Sequence, residues 1–159
     1  MTVRPCVTPR CFAERFAAAS CAMLALAVSA RCADFTVVPD PAAGLPNVVV
    51  AHPSFQANIQ PMFTARCAQG GCHTTASAQA RLVLTPGHSY YALVNRPAYL
   101  AAFIRVRPGD HVNSWLWRMI AADSSVRFGL ERMPFEEEPL TPNQIQTIVN
   151  WIDEGAPSN

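Results

Sequence analysis

The chain contains no lysine, and all 12 of its basic residues are arginines. From Asp34 onward, eight arginines stand against ten aspartates and glutamates, which gives a net charge of −2. Proteins that bind nucleic acids need a basic surface against the phosphate backbone. The composition therefore predicts no nucleic-acid partner.

The sequence also lacks an apolar run of about 20 residues, the length that a membrane-spanning helix needs. Its longest apolar stretch, residues 16–30, follows three arginines and ends in small residues. A basic start, a short apolar run and a small-residue end are typical of a secretory signal peptide. We therefore predict a signal peptide over residues 1–33 with cleavage near residues 30–33, a periplasmic or secreted protein, and no membrane span after cleavage.

Internal repeats and low-complexity tracts are also missing, and 159 residues fit one domain. Residues 34–53 mix prolines with short apolar stretches, which predicts an extended, proline-rich leader. Residues 54–159 are then expected to form the single domain.

Apolar residues at helical spacing dominate this domain, and no convincing β-hairpin appears. A first helix is predicted with Asn58 as its cap and Pro61 in its first turn. A longer helix starting at Ser54 would place Pro61 in its interior and be kinked there. Either helix delivers Cys67 at its end. A second amphipathic helix is predicted over Val112–Ile120. We therefore expect an all-α fold.

The strongest local pattern marks the last helix. Thr141 is the predicted cap, a proline follows at the first helical position, and Gln144 completes a capping box. Gly155 supplies the stop.

Cysteine is scarce beyond the predicted signal peptide, where only Cys67 and Cys72 are found. In exported proteins a cysteine pair usually forms a disulfide. A zinc site would need both thiols, His73 and a distant fourth ligand such as His88 or His111. A catalytic thiol beside His73 is a further possibility.

The spacing around these cysteines also approaches a haem attachment site. Covalent haem needs two thiols and a histidine directly after the second, most often as Cys-x-x-Cys-His. Here the sequence from Cys67 to His73 is Cys-Ala-Gln-Gly-Gly-Cys-His, with two extra residues between the thiols. Gly70 and Gly71 suit the tight reversal that would loop the extra residues out. From these residues alone, haem, disulfide, zinc and a catalytic thiol all remain open.

One methionine lies outside the apolar helix faces. Met62 and Met119 lie on the apolar faces of predicted helices, where methionine usually fills space in the core. Met133 instead lies in a predicted loop just before a proline. Met133 is either an iron ligand held by a stiff loop or a loop methionine packed against the core. A bis-histidine site through His88 or His111 is the competing arrangement.

From Phe55 to Pro157 the chain resembles the small class I-type cytochrome c domains of exported bacterial proteins. The resemblance rests on the stretches IQPMF, GCH, RPGD, SWLWRMI, RMP and LTPNQIQTIVNWIDEGAP. It implies a cytochrome c-like fold, with the N- and C-terminal helices packed around one covalent haem c. Some c-type cytochromes use the longer Cys-x-x-x-x-Cys-His form.

The resemblance also implies roles for particular residues. Cys67 and Cys72 attach the haem, His73 is the proximal iron ligand and Met133 the distal one. The carbonyl of Pro108 accepts a hydrogen bond from the His73 ring. Apart from the resemblance, Trp115, Trp117 and Trp151 are candidates either for walls of the haem or for ordinary core residues of the helices.

The function expected on this basis is that of an exported mono-haem electron carrier, which is not an enzyme on its own and whose partners are redox proteins. Two alternatives stay open. One is a secreted interaction module stapled by a Cys67–Cys72 disulfide, without haem. The other is a haem protein with an open distal site that binds a small ligand.

Overall fold

The computed structural model describes residues 44–99 and 102–159. The predicted signal peptide and the first part of the leader lie outside the described residues. The described chain contains four α-helices: α1 (Gln60–Arg66), α2 (Ser89–Leu93), α3 (Trp115–Ile120) and α4 (Pro142–Asp153). A π-helical turn, Phe55–Ile59, precedes α1, and two 3₁₀ turns cover Gln79–Arg81 and Ser124–Arg127.

Pairing between extended segments is minimal in these residues. It consists of three isolated bridges: Val94 with Val106, Pro97 with Ile104, and Ile104 with Ser114. The predicted all-α fold class is confirmed at this level. No helix among the described residues is long and apolar enough to cross a membrane.

The first helical segment takes the longer of the two forms considered from the sequence, with its cap at Ser54 and not at Asn58. The Ser54 hydroxyl accepts a hydrogen bond from the Ala57 N–H at 3.4 Å, and Asn58 Oδ1 accepts one from the Ser54 N–H at 2.9 Å. Pro61 explains why the turn before it, Phe55–Ile59, is π-helical. Proline donates no backbone hydrogen bond, and in a regular helix its ring clashes with the carbonyl four residues earlier. Asn58 therefore takes part in the cap from inside the helix.

Helix α4 has both predicted ends. Thr141 Oγ1 accepts from the Gln144 N–H at 3.2 Å, and Gln144 Oε1 accepts from the Thr141 N–H at 3.0 Å, so the capping box is closed. At the other end Gly155 has a φ of 93°. The Ala156 N–H donates to the Trp151 carbonyl at 2.9 Å, which completes a Schellman motif.

Helix α3 is shorter than predicted, because Val112 lies in a turn before it and is 49% exposed. Asp110 causes the difference. Its Oδ1 accepts from the Asn113 N–H at 3.1 Å, and its carbonyl accepts from the Ser114 hydroxyl at 2.8 Å. These local bonds hold the chain in a turn until Ser114.

The core joins the first and last helical segments. The Phe55 ring lies 5.3 Å from the Trp151 ring, 5.3 Å from Tyr90 and 6.3 Å from Phe63, measured between centroids. Around them lie further buried apolar side chains: Ile59, Met62, Leu84, Leu93, Val106, Ile120, Leu140, Ile148 and Ile152. The predicted packing of the N-terminal helix against the C-terminal helix is therefore present.

The described end of the leader lies along α4. The Val50 N–H donates to Thr147 Oγ1 at 3.1 Å, and Asn150 Nδ2 donates to the Val50 carbonyl at 2.8 Å. Side chains of α4 thus satisfy the backbone of an extended segment that has no sheet partner there.

Candidate functional site

Helix α1 places Cys67 at the start of a closed loop. The Cys67 N–H still donates to the Phe63 carbonyl at 2.9 Å, as in a helix. The Gln69 side chain then turns back, and its Nε2 donates to the carbonyls of Thr64 and Ala65 at 2.7 and 3.0 Å. Two carbonyls at the end of α1, which lack partners within the helix, therefore accept hydrogen bonds from this side chain.

The two glycines form a tight turn between the cysteines. The Cys72 N–H donates to the Gln69 carbonyl at 3.0 Å, and Gly71, the third residue of the turn, has a φ of 85°. A positive φ at that position is the requirement of a type II turn, which favours glycine. The His73 N–H then donates to the Cys67 carbonyl at 3.1 Å. The reversal predicted for Gly70 and Gly71 is present, and the loop closes on itself.

The chain after His73 folds back over this loop. The Cys72 carbonyl accepts hydrogen bonds from the Ser77 hydroxyl at 2.8 Å and the Gln79 N–H at 3.1 Å. The His73 carbonyl accepts from the Leu84 N–H at 2.8 Å. The backbone on both sides of His73 is therefore held in place.

The His73 ring is oriented by two backbone carbonyls. Its Nδ1 lies 3.1 Å from the Gln79 oxygen and 3.3 Å from the Leu82 oxygen. Because carbonyls only accept, Nδ1 carries the proton in this arrangement and Nε2 keeps a free lone pair. Burial lowers the pKa of His73, the two carbonyls oppose that shift, and the nearby Arg105 charge adds to it. A neutral imidazole with a fixed tautomer is the form that binds a metal.

These acceptors differ from the one expected. The resemblance assigned the role to the carbonyl of Pro108, whereas the carbonyls of Gln79 and Leu82 occupy it in the structure. Backbone carbonyls leave no signature in a sequence, because every residue has one. Only the fold of the chain after His73 brings these two into place.

The segment that supplies the carbonyls has an unusual backbone. Ala78, Ala80 and Arg81 have φ values of 40°, 53° and 55°, a region that residues with a Cβ rarely occupy. Arg105 forms hydrogen bonds that hold this segment in place. Its Nη2 donates to the carbonyls of Ala80 and Arg81, both at 3.1 Å. Its Nη1 donates to the Ala92 carbonyl at 2.8 Å. Arg105 thus stabilises the strained segment that holds His73, a role that sequence reasoning missed.

Both cysteines of the loop carry free thiols. Cys67 packs against the hydrophobic core, and burial raises the pKa of its thiol to about 12. The Arg66 charge lowers that pKa, and Cys72 raises it further. Because the thiolate is the nucleophile, a protonated Cys67 does not favour a catalytic thiol in this conformation.

The distant histidines have other partners. His88 Nδ1 lies 3.3 Å from the Pro86 carbonyl, and His111 Nδ1 lies 2.8 Å from both carboxylate oxygens of Asp153. Across residues 44–99 and 102–159, no three His, Cys, Asp or Glu side chains lie close enough to hold a metal ion. The zinc arrangement through His88 or His111 is not assembled here.

Met133 lies in a loop that is tied to α3. Its N–H donates to the Met119 carbonyl at 2.8 Å. Its side chain is half-buried and packs against the same hydrophobic core as Cys67. The loop methionine is therefore anchored at its backbone and turned toward the core that underlies the cysteine loop.

Trp115 belongs to an aromatic cluster at the start of α3. Its ring stacks on Phe103 with centroids 5.4 Å apart and lies 6.4 Å from Phe128. The Arg118 guanidinium lies over the Phe103 ring at 4.6 Å. Whether Trp115 walls a haem stays a prediction.

No family model, no curated protein and no solved structure matches the chain.

Proposed function

We propose that this chain is an exported mono-haem c-type cytochrome that carries single electrons. One observation carries the proposal: the closed loop from Cys67 to His73 holds two free thiols and a neutral histidine whose Nε2 is left available. Covalent haem attachment needs this set of groups. The longer spacing fits because the glycine turn absorbs the two extra residues.

Cys67 and Cys72 would hold the haem through thioether bonds, with His73 Nε2 as the proximal iron ligand. When bound, the haem supplies an iron that changes oxidation state by one electron, and a Met/His ligand pair raises its reduction potential. The carbonyls of Gln79 and Leu82 keep the proton on Nδ1 and fix the ring plane. They also increase the basicity of the ligating nitrogen.

Met133 is the proposed distal ligand. Its support is the anchored loop, since the bond from its N–H to the Met119 carbonyl restricts where its sulfur can lie. Met133 and Cys67 both pack against the hydrophobic core. A low-polarity surrounding of this kind limits the reorganisation that accompanies a change of charge.

The proposal implies a periplasmic or secreted location and redox proteins as partners. It predicts no substrate turnover, because the sequence shows neither a general acid/base constellation nor a second cofactor motif.

The decisive experiment is the intact mass of the denatured protein after export in a host with haem-attachment machinery. The expected mass is that of the cleaved chain plus one haem, because thioether bonds survive denaturation. A Cys67→Ser/Cys72→Ser variant is the control and should carry no haem.

Two other masses would contradict the proposal. A value two hydrogens below the bare chain would indicate a Cys67–Cys72 disulfide. The unmodified mass of the bare chain would mean that the closed loop is not a substrate for attachment. Either result would end the cytochrome interpretation.

A further inference from the structure

A second candidate site lies beside the segment that holds His73. It is an open groove of about 670 Å³, a size typical of small-molecule sites. Its lining includes three arginines and two tyrosines: Arg81, Arg96, Arg105, Tyr91 and Tyr99. No aspartate or glutamate is among the described residues that line it.

The arginines of this groove, called the arginine groove below, form no salt bridge in the described chain. The salt bridges found there join His52 with Glu154, Arg107 with Asp110, and His111 with Asp153. None of them uses an arginine of the groove. Three cations that share one concave surface without a carboxylate repel one another, and an anion would relieve that repulsion.

The arginines also keep donors free for a ligand. The Nε–H of Arg96 donates to the Tyr91 carbonyl at 3.0 Å, so the two terminal nitrogens of its guanidinium group remain as donors for a ligand. The Arg81 guanidinium lies over the Tyr99 ring, 4.8 Å from its centroid. Arg105 donates only to neutral carbonyls, so its orientation is fixed but its charge is not neutralised.

The tyrosines supply apolar surface next to these charges. Tyr91 is 72% exposed and Tyr99 is 53% exposed. Guanidinium groups match carboxylate and phosphate oxygens with paired hydrogen bonds, and aromatic rings contact the body of an organic ligand. We infer that the arginine groove binds a small organic anion bearing carboxylate or phosphate groups.

The groove is connected to the candidate haem site through a single short segment. The carbonyls of Gln79 and Leu82 contact His73, and those of Ala80 and Arg81 contact Arg105. An anion bound by Arg105 would therefore be separated from His73 only by residues 79–82, whose carbonyls contact both side chains. Anion binding in the arginine groove does not require haem, so the test of this inference is independent of the proposed function.

Calorimetric titration of the exported full chain with citrate and with pyrophosphate tests the inference. We expect saturable binding of one anion per chain at low ionic strength. Arg81→Gln and Arg96→Gln should each weaken binding about tenfold, since a hydrogen bond to a charged group is lost. Both side chains lie at the surface, so these variants should fold.

Arg107→Gln is the matched control, because it removes the same charge from an exposed arginine that pairs with Asp110 outside the groove. It should change the affinity by less than about twofold. No saturable heat, or an equal loss in the control, would overturn the inference.

The carboxylates of haem itself are a second source of the same chemistry. The intact mass identifies which preparation carries haem, and both forms are titrated. Binding by the haem-loaded form supports a separate anion site. Binding that appears only in the haem-free form would assign the arginines to the haem carboxylates and overturn the inference.

Discussion

Cys67 is half-buried, and the loss of solvent around its thiol controls the chemistry of that group. With a pKa of about 12, this thiol is almost fully protonated at pH 8 and reacts slowly. In the haem-free chain we expect alkylation at Cys67 to be suppressed in the folded protein and to proceed at an ordinary rate after unfolding in urea. Peptide mapping after a timed alkylation measures both rates, and fast labelling of folded Cys67 would show that it is accessible.

The pKa of Cys67 also has a consequence for stability. Because the folded chain holds this proton more tightly than the unfolded chain does, the contribution to stability is complete below pH 9.0 and is lost as the pH rises toward 12. Urea denaturation of the haem-free chain at pH 8 and pH 10 should give a lower free energy of unfolding at pH 10. Cys67→Ala should reduce that difference, while an unchanged difference would assign it to other groups.

Met133 is the residue on which the axial ligation depends. If its sulfur binds the iron, Met133→Ala should keep the covalent haem, convert the spectrum to a high-spin form and lower the reduction potential, because the Met ligand raises it. Met62→Leu is the control, since Met62 is 4% exposed in the core and a swap of similar volume costs little. A wild-type spectrum that is already high-spin would favour the open distal site instead.

The turn between the cysteines depends on one glycine more than on the other. An added Cβ would meet nothing within 4 Å at Gly70 or Gly71, but only Gly71 has a positive φ, of 85°. Gly71→Ala should therefore destabilise the chain by about 1–2 kcal/mol through backbone strain alone. Gly70→Ala should cost much less. Urea denaturation of both variants measures the difference, and equal costs would mean that the turn relaxes to another type.

The capping box of α4 should contribute measurably to the free energy of unfolding, since this helix supplies Ile148, Trp151 and Ile152 to the core. Thr141→Ala removes the hydroxyl that accepts from the Gln144 N–H and should cost about 1 kcal/mol. Gln146→Ala, on the exposed side of the same helix, is the matched control with an expected cost of a few tenths. A similar loss in both variants would indicate that the cap is not what stabilises this end.

At the scale of the whole described domain, contacts between the first and last helical segments form the centre of the core. Phe55 is 2% exposed and contacts Trp151, so Phe55→Ala should cost about 3–5 kcal/mol. Native-state hydrogen exchange should show α1 and α4 losing protection together. Tyr91→Ala, at a 72% exposed position, should leave both helices protected. Loss of protection in only one helix would mean that the two segments are stabilised separately.

Much of this architecture could be predicted because its causes are local. The Thr141 cap, the Gly155 stop and the glycine turn each depend on residues within a few positions of one another, and all three are present. The sequence left two starts open for the first helix because Ser54 and Asn58 are both good caps, and the structure has the Ser54 start. The length of α3 was misjudged because Asp110 competes for the backbone.

The sequence by itself determined the helical class, both ends of α4 and the identity of the groups in the cysteine loop, since propensity, capping and turn geometry act over short distances. Only the tertiary structure decided the environment of those groups. Gln79 and Leu82 are close to His73 in sequence, but the chain must fold back to bring their carbonyls to its ring. The hydrogen bonds of Arg105 and the core around Cys67 join segments that are farther apart. Such contacts depend on how segments pack against one another, which the spacing of apolar residues within one helix does not specify.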